Sequence, residues 1–186
     1  MPFIDTKFEG LKIFEPRVFE DDRGYFFEAY NENAFKAAGI DTQFVQDNQS
    51  KSSYGVLRGL HYQRVPYAQA KLVRVLEGKV LDVVVDIREG SPTYGEWFSI
   101  ELSAENKKQL FVPRGFAHGF VVLSETAVFY YKCDNFYNKA SEDGLIYNDP
   151  TLQIDWQIDL TKAILSAKDT ILPKFGSHDA NFKFEE

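Results

Sequence analysis

Between Lys79 and Ile87 the chain alternates strictly: Leu81, Val83, Val85 and Ile87 interleave with Val80, Asp82, Val84 and Asp86. A period of two sends successive side chains to opposite faces of a strand. One face is wholly apolar and the other carries two carboxylates, so the segment is a strand with its apolar face against a core. Glu89-Gly90-Ser91-Pro92 ends it with turn chemistry. The same grammar surrounds it. Lys71 to Leu76 runs into Glu77-Gly78, Trp97 to Leu102 follows, and Gln109 to Val112 stops at Pro113-Arg114-Gly115. His118 to Leu123 and Thr126 to Lys132 predict a hairpin about Ser124-Glu125. Helical signals are confined to two short stretches. Asn31 to Ala38 has Asn31 or Asn33 as N-cap and Gly39 as its stop, and Leu160 to Ala167 is a second candidate. Many short strands with little helix predict a sandwich, jelly roll or barrel, and the pattern alone does not choose among them.

A length of 186 residues suits one sizeable core rather than two. No linker, repeat or low-complexity segment divides the chain, so a single domain is expected across residues 1–186. The 17 Phe and 10 Tyr reinforce the β reading. A net charge of −7 argues against nucleic acid as a partner. It leaves room for a small anion, because a few local cations outweigh a distant net charge. The single Cys133 cannot form an internal disulfide. Met1 to Asp5 has no signal-peptide pattern, and no stretch approaches the ~20 apolar residues of a membrane span. The expectation is a cytoplasmic protein with no membrane partner.

Chemistry concentrates in Gly55 to Gln63, where Arg58 and His61 stand three residues apart. In a regular strand they face opposite sides. Gly59 between them suits a bulge that re-aims one of them. The plainer reading is an exposed arginine and a structural histidine. There are three histidines, His61, His118 and His178, and Gln63 stands where a metal-binding His-X-His pair would need its second histidine. A histidine-rich metal site is therefore disfavoured, which turns His61 toward proton chemistry. Lys71 opens an apolar strand. If it shares a face with Val73 and Val75, it is either a snorkelling strand end or a cation that steadies an oxyanion. His118 reads as a turn histidine, and Tyr131 as a core aromatic with its hydroxyl at the rim. Neither a Gly-rich phosphate loop nor a Gly-X-Ser-X-Gly elbow occurs, and nothing local supports Cys133 as a nucleophile.

In order along the chain stand Asp22 to Glu28, Gln46 to Ser50, Gly55 to Gln63, Gln69 to Arg74, Val85 to Arg88 leading to Ser91-Pro92-Thr93, Val112 to Phe120, Tyr130-Tyr131-Lys132, Asn148-Asp149-Pro150 and Lys168-Asp169. Together these stretches resemble the dTDP-4-dehydrorhamnose 3,5-epimerase family from about residue 10 to residue 175. The resemblance implies an all-β, cupin-type jelly-roll barrel with a few short peripheral helices. It implies a homodimer that needs no metal or organic cofactor and acts on a dTDP-4-keto-6-deoxy sugar. By resemblance, His61 is the general base, Asp169 the carboxylate that orients it, Tyr131 the general acid on the opposite ring face, and Lys71 the cation at the C4 oxygen. Arg23, Glu28, Gln46, Asn48, Arg58, His118, Glu142 and Lys168 match substrate-binding positions, and Tyr137 is expected over the site. Arg23 and Glu28 are expected to reach the neighbouring subunit's site. Rival readings are an epimerase acting at C3 or C5 alone, a sugar-nucleotide-binding cupin without catalysis, and a metal-dependent cupin oxygenase.

Overall fold

A computed structural model describes residues 2–184. The strands are β1 (Phe3–Asp5), β2 (Lys12–Phe14), β3 (Phe19–Asp21), β4 (Gly24–Phe26), β5 (Gln46–Ser53), β6 (Leu57–Gln63), β7 (Lys71–Glu77), β8 (Lys79–Asp86), β9 (Trp97–Ser103), β10 (Gln109–Val112), β11 (Phe116–Val122), β12 (Thr126–Cys133) and β13 (Glu142–Gly144). One α-helix, α1 (Glu32–Ala37), follows β4. The strands form a six-stranded sheet in the order β1-β2-β10-β7-β12-β5, a five-stranded sheet in the order β13-β6-β11-β8-β9, and the separate hairpin β3-β4.

From β6 onward the chain changes sheet at every connection except β8 to β9. This is a jelly roll: an all-β sandwich wound so that consecutive strands lie on opposite walls. The expected hairpin about Ser124-Glu125 is therefore corrected, because β11 and β12 belong to different sheets. Both strands form where the alternation places them, but alternation reports which face is buried, not which neighbour is bonded. At that corner Ser124 Oγ donates to Thr126 O at 2.6 Å and accepts from Lys79 N at 2.8 Å. It ties the β11–β12 turn to the β7–β8 turn. Gly78 lies at φ 72 between these turns, and a Cβ there would meet Thr126 O at 2.0 Å.

Three apolar layers follow. Between the sheets lie Val73, Val75, Val80, Val84, Leu110, Phe120 and Phe129. On the outer face of the five-stranded sheet, Leu81, Val83, Val85 and Ile87 are covered by Leu152, Ile154, Trp156 and Phe182 from the C-terminal segment. Outside the six-stranded sheet, Phe35 and Ile40 cover Phe14, Leu72 and Phe111. Strand β8 is thus buried on both faces, and its carboxylates with it. Asp86 accepts from Arg88 Nη2 at 2.7 Å, Ser91 Oγ at 2.6 Å and Thr93 Oγ1 at 2.7 Å, and so serves the turn that follows.

The first expected helix forms where the sequence places it. Asn31 Oδ1 accepts from Ala34 N at 3.2 Å, and Gly39 stands at φ 82 beyond the end. The second shrinks to a single 3-10 turn, Leu160–Lys162. Its continuation is claimed by a neighbouring strand: Ile164 N donates to Gly55 O at 2.9 Å and Leu57 N donates to Ile164 O at 3.0 Å. A backbone held in that bridge is not free to turn helical.

Candidate active site

Strand β6 carries the bulge suspected at Gly59. Pairing with β11 matches His118 to His61 and Phe120 to Arg58, so β6 spends one more residue than β11 between the two pairs. Gly59 stands at φ 129, and a Cβ there would lie 2.5 Å from the Cα of Gly119. Gly119 is constrained in turn, since its own Cβ would meet Arg58 O at 2.6 Å. The two backbones approach where no side chain fits. The extra residue brings Arg58 and His61 to one side, and both line a cavity of about 660 Å³ that opens between the sheets.

Other elements contribute by simple alternation. Lys71 shares the inner face of β7 with Val73 and Val75 and lines the cavity, so it is not a snorkelling strand end. Tyr131, on β12, lies opposite Asn48 of β5, and both line the cavity. His118, on β11, lines it beside His61. The Ile164 bridge fixes the loop that follows, which delivers Ser166, Lys168 and Asp169 to the same space.

Two histidines each spend Nε2 on a carboxylate. His61 Nε2 lies 2.6 Å from Asp169 Oδ1, and Ser166 Oγ donates to Asp169 Oδ2 at 2.8 Å. The His61 side chain is 26% exposed and that of Asp169 3%. Burial pushes the Asp169 carboxyl up, but the hydrogen bonds from His61 and Ser166 outweigh it and hold it below the usual carboxylate range. His118 Nε2 lies 3.1 and 3.0 Å from the two oxygens of Asp82, with side chains 7% and 0% exposed. Here burial wins and the Asp82 carboxyl is raised, against the pull of His118 and Lys71. Among the described residues, no three His, Cys, Asp or Glu side chains are grouped to hold a metal.

Burial lowers the Lys71 ammonium, opposed by Cys133, Asp82 and Glu142, and its Nζ lies 6.0 Å from the centre of the Tyr131 ring. Burial raises the Tyr131 phenol, which stays protonated at neutral pH. The Cys133 thiol is pushed up to about 11, again chiefly by burial, which disarms it as a nucleophile. Arg58 is held by Ser52 Oγ, to which Nε and Nη2 donate at 3.3 and 3.2 Å. At the mouth Lys168 pairs with Glu142, and Tyr137 Oη donates to Glu142 at 3.0 Å. Gln46 Oε1 accepts from Tyr137 N at 3.0 Å while its amide donates to Asn48 at 3.2 Å. A cationic, half-buried pocket thus sits in a chain of net charge −7.

Of the thirteen expected site residues, His61, Lys71, Tyr131, Asp169, Asn48, Arg58, His118 and Lys168 share the cavity. Gln46, Tyr137 and Glu142 form the hydrogen-bonded mouth described above. Arg23 and Glu28 do not line the cavity. Arg23 is paired with Asp21 on the exposed β3-β4 hairpin, which also presents Phe19, Tyr25 and Phe26 to solvent, and Glu28 is exposed just beyond it. Sequence reading missed Ser52 and Ser166, which position the arginine and the aspartate. It noted Asp82 as a strand carboxylate without finding its partner.

A family model described as dTDP-4-dehydrorhamnose 3,5-epimerase matches residues 5–177. The chain is 52% identical over 180 residues to the dTDP-4-dehydrorhamnose 3,5-epimerase of Shigella flexneri, covering 96% of this chain and 98% of that protein. The crystal structure of the enzyme of that name from Elizabethkingia anophelis NUHP1 is similar with a TM-score of 0.90 and 60% identity, covering 94% of this chain and 96% of that one. A Legionella pneumophila Philadelphia 1 dTDP-6-deoxy-D-glucose-3,5-epimerase, in complex with dTDP-4-keto-L-rhamnose, gives a TM-score of 0.94 at 46% identity, covering 99% of this chain and 98% of that one.

Proposed function

The chain belongs to the dTDP-4-dehydrorhamnose 3,5-epimerase family, and on that premise we propose how its residues carry out the reaction. The enzyme is an isomerase of cupin-type fold that inverts C3 and C5 of dTDP-4-keto-6-deoxy-D-glucose to give dTDP-4-keto-L-rhamnose. Both carbons neighbour the C4 ketone, so loss of a proton from either leaves an enolate with its charge on the C4 oxygen. His61 is the base. Its Nε2 is engaged by Asp169 at 2.6 Å, which leaves Nδ1 to take the proton and the carboxylate to steady the imidazolium that results. This bond, inside the cavity that also holds Lys71 and Tyr131, is the observation that carries the assignment.

Lys71 meets the developing oxyanion. A preorganised donor of this kind contributes about 3–4 kcal/mol to such a barrier. Tyr131, on the opposite sheet from His61, returns a proton to the other ring face, which inverts the carbon. Proton exchange with solvent then restores both groups. Arg58 and Lys168 meet the diphosphate, Arg58 bidentately, with Lys168 exchanging Glu142 for phosphate oxygens. Gln46, Asn48, His118, Glu142 and Tyr137 complete the substrate contacts. The enzyme works as a single domain over residues 1–186, without a metal or organic cofactor, in the cytoplasm. It works as a homodimer in which the exposed hairpin carries Arg23 and, just beyond it, Glu28 to the partner's site. Light scattering tests the dimer, and a mixture of Arg23→Ala and His61→Ala subunits regains activity if the sites are shared.

The roles are tested by NMR in deuterated water with dTDP-4-keto-6-deoxyglucose. Wild-type protein exchanges protons at C3 and C5, His61→Ala at neither. Normal exchange in His61→Ala overturns the base assignment.

A further inference from the structure

Gln63 stands where a metal-binding His-X-His pair would need its second histidine, and the mechanism gives it no task. It closes β6 two residues after His61, is 5% exposed and does not line the cavity. Both N–H groups and the carbonyl oxygen of its amide are engaged by backbone. Nε2 donates to Tyr67 O at 2.7 Å and to Phe136 O at 3.2 Å, and Oε1 accepts from Asn138 N at 2.6 Å. Turning the amide over would set donor against donor and acceptor against acceptor, so these partners fix its orientation. An imidazole, with two ring nitrogens, cannot serve all three.

Two of the partners, Phe136 and Asn138, flank Tyr137. The residue between them is held as well: Tyr137 N donates to Gln46 Oε1 at 3.0 Å, and Gln46 is fixed in turn by its bond to Asn48 at 3.2 Å. Tyr137 is 55% exposed, so packing does not place its ring; the clamped backbone does. Gln63 also reaches the far end of the same segment. It stands opposite Glu142 in the antiparallel pairing of β6 with β13, and the next residue, Arg64, donates from its N to Ser141 O at 2.9 Å. Residues 136–142 therefore wrap around Gln63, and the two groups it sets, Tyr137 Oη and the Glu142 carboxylate, meet at 3.0 Å beside Lys168.

We propose that Gln63 is a positioning residue of the substrate site: by bracketing the backbone of Tyr137 it sets the phenol against Glu142 at the mouth, and so governs how tightly the sugar nucleotide is held without touching it. The proposal deepens the epimerase reading and rests on it for the contact between Tyr137 and substrate. A mouth ordered before the ligand arrives loses no conformational freedom on binding, whereas a loose one must be ordered at the expense of affinity. His61, Lys71 and Tyr131 are placed by the registers of β6, β7 and β12 and by Asp169, not by this loop. Loss of the clamp therefore weakens ground state and transition state alike, which raises KM and spares kcat.

The test reads the clamp and its consequence separately. Among the described residues the Gln63 carbonyl is the only acceptor for the Asn138 amide, so hydrogen exchange of that amide, followed by NMR on the full chain without substrate, reports the bond. In wild-type protein it is protected by about tenfold or more; in Gln63→Met the protection is lost while the amides of β8 keep theirs. In turnover, Gln63→Met raises KM about tenfold, the effect of one or two lost hydrogen bonds, with kcat changed less than about threefold. Tyr137→Ala also raises KM, and adding Gln63→Met to it raises KM by less than about twofold more, because the glutamine acts through the tyrosine. A wild-type Asn138 amide that exchanges without protection overturns the proposal, even if Gln63→Met does not fold. So does an unchanged KM, a loss confined to kcat, or a KM effect of Gln63→Met that persists in full in the Tyr137→Ala background. Wild-type protein that exchanges no substrate proton sinks the epimerase reading instead. That failure is separable, because the Asn138 amide is read without substrate.

Discussion

Two histidines of the cavity wall, His61 and His118, each face an aspartate, and the two pairs stand in different surroundings. In both, Nε2 faces a buried carboxylate and Nδ1 is left over. His61 stands at the open side, and its aspartate also accepts from Ser166. Three influences act on Asp169: burial raises its pKa, and the two donors lower it further than burial lifts it. The side chains of His118 and Asp82 are almost wholly buried, and there burial prevails and the carboxyl is raised. The same residue types thus serve two purposes. Contact with solvent suits a histidine that must exchange protons each turnover. Enclosure suits one that is held in a fixed orientation. Residue identity does not set the direction in which the paired carboxyl shifts; burial and the number of extra donors do.

The largest expected difference is in turnover. His61→Asn should lower kcat by about 10²–10⁴-fold, the range for a lost general base, measured by product formation. A rate within about tenfold of wild type would remove His61 from the base role. Next comes Tyr131→Phe, in which deuterium exchange at C3 should continue while inverted product falls by about 10²-fold. Equal loss of both would remove the tyrosine from the acid role.

Stability should separate the pairs in the opposite sense. Asp82→Ala strands a buried imidazole and should cost about 3–5 kcal/mol in urea denaturation. Asp169→Ala, beside a half-open histidine, should cost about 1–2 kcal/mol. Equal costs would mean that enclosure does not distinguish them. The pH dependence sharpens this. The Asp169 pKa is depressed in the folded state, so its contribution is complete above the ordinary aspartate value of about 3.9. It is lost as pH falls through the lower folded value. The stability gap between wild type and Asp169→Asn should therefore close only in strong acid. A gap that closes at neutral pH would contradict the depressed value. The smallest effect belongs to Cys133→Ala, which should leave the rate within about twofold because the thiol is protonated at working pH. A large loss would give Cys133 a chemical role.

Strand alternation, the helix at Asn31, and the need for glycine at position 59 are local properties. A side chain's face follows from its place in the period, a cap from its neighbours, and a bulge from a residue without Cβ. All three were legible before any fold was known, as was the agreement of ordered motifs that placed the chain in its family. What the sequence could not decide was partnership. Asp169 lies 108 residues from His61, and local spacing cannot relate them. Asp82 reads as one of two carboxylates on a strand. Only the pairing of β8 with β11 brings it to His118, while Asp86 on the same face goes to Arg88 and a turn. The expected hairpin failed for the same reason. A period of two records burial, but bonding partners are set when the two sheets close over a shared core and fix their registers together.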